Sequence, residues 1–172
     1  MGTVSGAESP SNYDRVYHYD PLGQVGAVGF DDPTAWFANV FTAAEDSFLH
    51  AVSFYTLAPG TQFVVYHGPD LGSLQPQAQG TLAYMGYHTV KLSKPVSLRG
   101  GQPFVIAVKL VSLGTSEPVA IEYPLRGLAS AAKADLGQSY ISADGKDWSD
   151  VTVVWNPEAD VCLKAFAKLT SK

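Results

Sequence analysis

The strongest constraint on this chain is a rhythm. About ten short runs alternate apolar with polar residues at period two, and glycine, proline or Asx turns stop each one after roughly 8–15 residues. The clearest is Phe48–Thr56, which follows the acidic turn at Glu45-Asp46 and ends at Pro59-Gly60. Val52 and Phe54 share one parity while Ala51, Ser53 and Tyr55 share the other, as in a strand with one face on a core. Phe48 keeps the parity of Val52 and Phe54, but His50 then falls between them; Leu49 takes the inner place instead if a bulge precedes Val52. This stretch is expected to be a central strand and scaffold, leaving function to strand ends and loops.

Taken in order, Arg15–Tyr19 alternates and ends at Asp20-Pro21-Leu22-Gly23, and residues 24–34 read as loop. Trp36–Phe41 and Gln62–His67 are apolar on both parities, as expected of strands covered on two sides; Asn39 then needs its amide satisfied. Residues 68–79 read as a surface loop, followed by strands at Gly80–Tyr84 and Tyr87–Leu92 and a further segment at Pro95–Leu98. Phe104–Leu110 alternates cleanly, and Val119–Tyr123 is another short strand, stopped by Pro124. Residues 125–137 hold the only stretch with helix propensity, enough for a turn or two. Ser139–Ser142 and Ser149–Trp155 flank Asp144-Gly145 as a hairpin, and Val161–Ala167 closes the chain. So many strands with almost no helix predict an all-β, antiparallel β-sandwich. No internal repeat is present, which argues against a propeller or solenoid.

With 172 residues the chain is long enough for one domain with a sizeable core. Residues 1–12 are small and polar, lack the features of a signal peptide, and read as linker before a single domain over 13–169. The net charge of −5 and the scattered Lys and Arg exclude a nucleic-acid footprint and disfavour anionic membranes. No apolar run approaches the ~20 residues of a membrane span. Cys162 is the only cysteine, lies mid-strand and reads as a buried structural thiol. His18, His50, His67 and His88 are widely spaced and show no zinc pattern, and no Gly-x-Ser-x-Gly or phosphate loop occurs. The domain reads as non-catalytic.

Two kinds of binding residue stand out. Calcium needs several oxygen ligands, and Asp31-Asp32 and Glu45-Asp46 flank the Trp36–Phe41 strand, with Asp20 and Asp160 at other strand ends to complete a site; the alternative is solvated turn carboxylates. Sugars need exposed aromatic faces with polar neighbours. Trp148 and Trp155 border polar loops and Tyr87 follows the Met85-Gly86 turn; Trp36, Tyr84 and Tyr140 are further rings, and the alternative for each is core packing. Ser142, Asp144, Gly145 and Trp148 come close to an Asp-box hairpin.

Tyr17-His18-Tyr19-Asp20-Pro21-Leu22-Gly23, Ala35–Ala43 and Ala51–Thr56 occur in one order with Gly86–Leu92 and Ile121-Glu122-Tyr123-Pro124. Ser142–Gly145 with Trp148, and then Val161–Phe166, complete the series. Together, over roughly Tyr13 to Ala167, they resemble the lectin-like domain that follows papain-like cysteine peptidase domains in secreted and cell-surface proteins of bacteria and archaea. No peptidase Cys-Trp with its His and Asn is present. The resemblance implies a jelly-roll-like fold similar to lectins and carbohydrate-binding modules, an extracellular or cell-surface accessory role, and a bound calcium ion. It also implies a glycan ligand or, alternatively, a structural role packed on the peptidase domain of the same parent chain.

Overall fold

The computed structural model describes residues 12–125 and 132–170. In chain order the elements are β1 (Arg15–Tyr17), β2 (Gly26–Val28), β3 (Thr34–Thr42), β4 (Ser47–Thr56), β5 (Thr61–Gly68), β6 (Gln75–Leu82) and β7 (Gly86–Leu98). They continue with β8 (Pro103–Val111), β9 (Val119–Glu122), β10 (Ser139–Ser142), β11 (Ser149–Asp150), α1 (Val151–Val154), β12 (Asp160–Val161) and β13 (Leu163–Leu169). Every strand pair among them is antiparallel. A four-stranded sheet, β1-β13-β4-β7, faces a six-stranded one, β11-β10-β3-β8-β5-β6, and β12-β9-β2 forms a small third sheet. The expected antiparallel β-sandwich is the fold.

The core lies where alternating residues of the two large sheets meet. Phe37, Ile106, Val108 and Leu110 come from one sheet and Leu49, Val52, Phe54 and Leu163 from the other, each no more than 1% exposed. Phe37 and Phe54 touch edge to face across the layer, with ring centroids 6.3 Å apart. β4 is interior to its sheet, between β13 and β7. Its register shifts between Leu49 and Ala51. Leu49 therefore turns inward at 0% exposure while Phe48 turns out at 39%. Skipping His50 keeps an imidazole out of the apolar layer, whose desolvation no partner there would offset.

Four local expectations are corrected. Residues 24–34 are not all loop: Gly26–Val28 pairs with β9, and a Cβ at Gly26 would meet the Tyr123 ring at 2.7 Å, so the glycine leaves room for that ring. Gln75–Gln79 belongs to strand β6 despite Pro76, because β6 is the sheet edge, where proline forfeits no ladder bond. Tyr87–Leu92 and Pro95–Leu98 are one strand, β7; its register jumps from Lys91 to Val96, so the proline marks a wide bulge rather than an end. Ser149–Trp155 is strand only to Asp150. The Asp150 carboxylate accepts from the Thr152 N–H at 2.9 Å and caps α1, which overrides the strand preference of Val-Thr-Val-Val. The expected helical turns at 125–137 lie largely outside the described residues, and 132–135 are irregular.

Candidate functional site

The outer face of the six-stranded sheet is built by the residues that the core leaves over. Register aligns Trp36 with Lys109, Lys109 with Val64 and Val64 with Gln79, so these four side chains form one row across β3, β8, β5 and β6. The next row is Thr34, Val111, Gln62 and Thr81. Between β8, β5 and β6 these rows leave a groove of about 400 Å³, lined by Gln62, Val64, Gln79, Thr81, Lys109 and Val111 along with Phe63 and Gly80. Its polar lining is two amides, a hydroxyl and an ammonium, with no carboxylate.

Beyond Lys109, next to the groove lining, lies an aromatic pair. Trp36 and Tyr66 pack at 4.9 Å between centroids, and the Lys109 Nζ stands 5.5 Å over the Trp36 ring. From the other side the Ser142–Asp147 turn presses down: a Cβ on Gly145, whose φ is +75°, would meet Trp36 ring atoms at 2.8 Å. That turn is closed by Ser142 Oγ, which accepts from the Gly145 N–H at 2.9 Å, and by Asp144 Oδ1, which accepts from Asp147 N–H at 2.9 Å and Lys146 N–H at 2.8 Å. Those bonds hold the exposed Asp144 carboxyl below its usual range. Further along the same face Ala38, Val105 and Ala107 are sealed by Tyr140, Trp148, Leu71 and Leu74.

A second cluster is buried. Asp20, Glu122 and Asp160 are each at most 2% exposed. Lys164 Nζ donates to Asp20 Oδ2 at 2.9 Å and to its carbonyl at 2.7 Å. Among the described residues Asp20 Oδ1 has no hydrogen-bond partner, and burial raises the Asp20 pKa despite Lys164. Glu122 Oε2 accepts from the Leu22 and Gly23 N–H groups, both at 2.6 Å, and so ties down the 20–23 turn; burial nonetheless raises its pKa.

Around Asp160 the protons can be counted. Ser139 Oγ lies 2.6 Å from Asn39 Oδ1 and 3.0 Å from Asp160 Oδ1, but it has one proton. Asn39 Nδ2 donates to the Leu163 carbonyl at 3.0 Å, which leaves Oδ1 as the acceptor of that proton. The Val161 N–H donates to Ser139 Oγ at 3.2 Å. The remaining contact closes when Asp160 is a neutral acid donating to Ser139. Burial, with Asp20 and Glu122 nearby, pushes the Asp160 pKa to about 7. Asn39 is thus satisfied, as its buried position in β3 requires.

The aromatic candidates do not share a surface. Tyr87 packs on Tyr55 at 4.9 Å as its cross-strand partner between β4 and β7. Trp155 follows α1 and meets Tyr123 edge-on at 4.9 Å. Trp148 lies on the sheet face that carries the groove, but packs on its sealed part, with Nε1 buried and unpartnered. The calcium candidates likewise occupy separate places. Asp32 Oδ1 accepts from Thr34 N–H at 2.7 Å, beside the positive-φ Asp31. Glu45 pairs with Arg15 and Asp46 Oδ1 accepts from Gly100 N–H at 2.8 Å at the other end of β3, while Asp20 and Asp160 belong to the buried cluster. Among the described residues no group of three or more His, Cys, Asp or Glu side chains could hold a metal ion; an ion at either loop would need backbone carbonyls and water for most of its shell.

Reading along the sequence missed Gln62, Gln79, Lys109, Glu122 and Lys164. The available signal was a polar residue inside an otherwise apolar run, as at Lys109 between Val108 and Leu110 or Glu122 after Ile121.

Nothing in this arrangement is a nucleophile with its base. Burial, followed by the Asp20 charge, drives the Cys162 thiol far upward, so it is not a thiolate. Thr56 Oγ1 lies 3.1 Å from His88 Nε2, but Nε2 is also 2.9 Å from the Tyr84 carbonyl, a contact that needs the proton on Nε2 and leaves no base facing Thr56.

Two antiparallel sheets packed face to face, with an open polar groove on an outer face, form a lectin-type sandwich. The chain matches the profile of the lectin-like domain family over residues 16–167, and it belongs to that family. Several solved structures resemble it, two of which are the following. One is a clostridial cysteine protease, Cwp84, after propeptide cleavage: TM-score 0.76, 26% identity, covering 91% of this chain and 40% of that one. The other holds the cysteine protease and lectin-like domains of Cwp84, a surface layer associated protein of Clostridium difficile: TM-score 0.67, 28% identity, covering 80% of this chain and 33% of that one. The chain thus spans well under half of either relative, in which a lectin-like domain accompanies a cysteine protease. Comparison with curated proteins returns no match. No helix among the described residues is long and apolar enough to cross a membrane.

Proposed function

We propose that this domain is a glycan-binding accessory module of a cell-surface cysteine peptidase, and that it takes carbohydrate in the groove across β8, β5 and β6. The observation that carries this reading is the groove lining: Gln62, Gln79 and Thr81 offer both donors and acceptors at an exposed sheet face, with the packed Trp36–Tyr66 pair next to it across Lys109. Amides and hydroxyls of this kind match sugar hydroxyls, and a preformed site keeps the ordering cost of binding small. The cell-surface setting and the peptidase partner are inferred from the family and from the surface-layer protease it resembles. A glycan array followed by calorimetry tests this reading. Binding that falls in a Gln62→Ala/Gln79→Ala double variant of unchanged melting temperature, and persists in Tyr87→Ala and Trp155→Ala, supports the groove. Silence across the array, or indifference to the double variant, overturns it.

A second, compatible role has its own observation. Val153, Val154 and Trp155 are 71%, 53% and 42% exposed, with Leu125 at 37%, an apolar run suited to packing on the peptidase domain. If it does so, Val153→Asp/Val154→Asp in the parent protein lowers peptidase stability while leaving glycan binding intact.

A further inference from the structure

Resting on the glycan reading, we infer that the ligand of this groove is an acidic carbohydrate bearing carboxylate or sulfate groups, with Lys109 the residue that selects for charge. Lys109 is half-buried on β8, which lies between β3 and β5. Lysines on sheet edges often serve to block unwanted strand pairing; β8 has both edges paired, so that role does not explain this one. Its cross-strand neighbours are Trp36 and Val64, and Val111 and Ala107 flank it along the strand, all of them uncharged. Among the described residues it makes no salt bridge, whereas Arg15 and Lys164 each have a carboxylate.

The contact with Trp36 orients the ammonium, but it leaves the charge unneutralised. A neutral sugar in the groove would strip water from this ammonium and return only a hydroxyl. A uronate or sulfate returns a charge-assisted bond, roughly twice as strong as a neutral one. The row from Lys109 through Val64 to Gln79 covers two strand spacings, about 10 Å. The acidic group of one sugar at Lys109 therefore leaves its neighbour over Val64 and within reach of Gln79. The chain as a whole carries −5, so attraction of a polyanion is a property of this groove and not of the net charge.

The test compares oligogalacturonate, a sulfated dextran oligosaccharide and neutral dextran of equal length by calorimetry, on the wild-type domain and on Lys109→Met and Lys109→Arg of unchanged melting temperature. Wild type is expected to bind one or both acidic chains at least about tenfold more tightly than the neutral chain. Lys109→Met should remove that preference, bringing the acidic and neutral chains to similar affinity, and Lys109→Arg should retain it. The uronate and sulfate arms identify which acid is preferred. Equal or tighter binding of neutral chains by wild type, or an acidic preference that survives Lys109→Met, overturns the inference and leaves glycan binding standing. Failure of all three chains, together with silence on the array, overturns both.

Discussion

Asp160 is the buried carboxyl that the fold keeps protonated to a higher pH than an exposed one. Its folded pKa, near 7, stands above the ordinary 3.8, so the folded state holds this proton more tightly than the unfolded chain does. The stability it contributes is fully present below about pH 4 and is lost as pH rises to about 7, on the order of 4 kcal/mol at most. His18, His50 and His67, whose pKa values burial lowers, act in the opposite sense and reduce stability as pH falls below their ordinary 6.5. Subtracting the pH–stability curve of Asp160→Asn, whose amide can still donate to Ser139, isolates the carboxyl. The difference should change across pH 4–7 and be flat outside it; a flat difference throughout means that Asp160 is ionised in the fold. The Asp20–Lys164 pair admits a companion test. Lys164→Met should cost about 3–5 kcal/mol by stranding a buried carboxylate, and Asp20→Asn/Lys164→Met together should cost distinctly less in denaturant titrations.

At the scale of elements, the bulge in β4 decides which aromatic and which aliphatic side chain enters the core. Leu49→Ala should therefore cost about 2–5 kcal/mol and Phe48→Ala well under that, despite the larger ring. The reverse order in chemical denaturation would place the bulge elsewhere. The sequence offered both registers, and only the pairing of β4 with β7 selected one. Proline misled in a consistent way. At Pro76 and Pro95 it marked an edge strand and a bulge, both of which remain strands. The capped turn at Asp150 did the reverse, turning a run of β-branched residues into a helix. At Gly145 a single hydrogen replaces a methyl that would strike Trp36; Gly145→Ala should cost about 1–3 kcal/mol and weaken glycan binding by shifting Trp36 and the Lys109 ammonium that rests on it.

At the scale of the whole molecule, two sheets bury one face each and leave two outer faces with different fates. The outer face of the six-stranded sheet is half sealed by Trp148, Tyr140 and the Leu71–Leu74 loop and half open, and the groove is that open half. The loop acids lie at both ends of the sandwich, where they bridge turns. A shift of melting temperature on adding calcium, reversed by chelator, would assign an ion to the Asp31-Asp32 or the Glu45-Asp46 loop. With turn bonds already supplied by Thr34, Arg15 and Gly100, the expected shift is small.

Alternation and turn punctuation determined the sandwich and the interior place of Phe48–Thr56, because period-two burial and chain reversal are local properties of the chain; the family was legible in the order of its separated motifs. Glu122 beside the Leu22-Gly23 turn, Lys164 beneath Asp20, and Lys109 in one row with Trp36 and Gln79 were settled by tertiary structure alone. Their partners lie tens of residues away, and which residues share a row depends on strand order and register. A polar residue in an apolar run can be seen in the sequence; what it faces is decided by the strand that folds beside it.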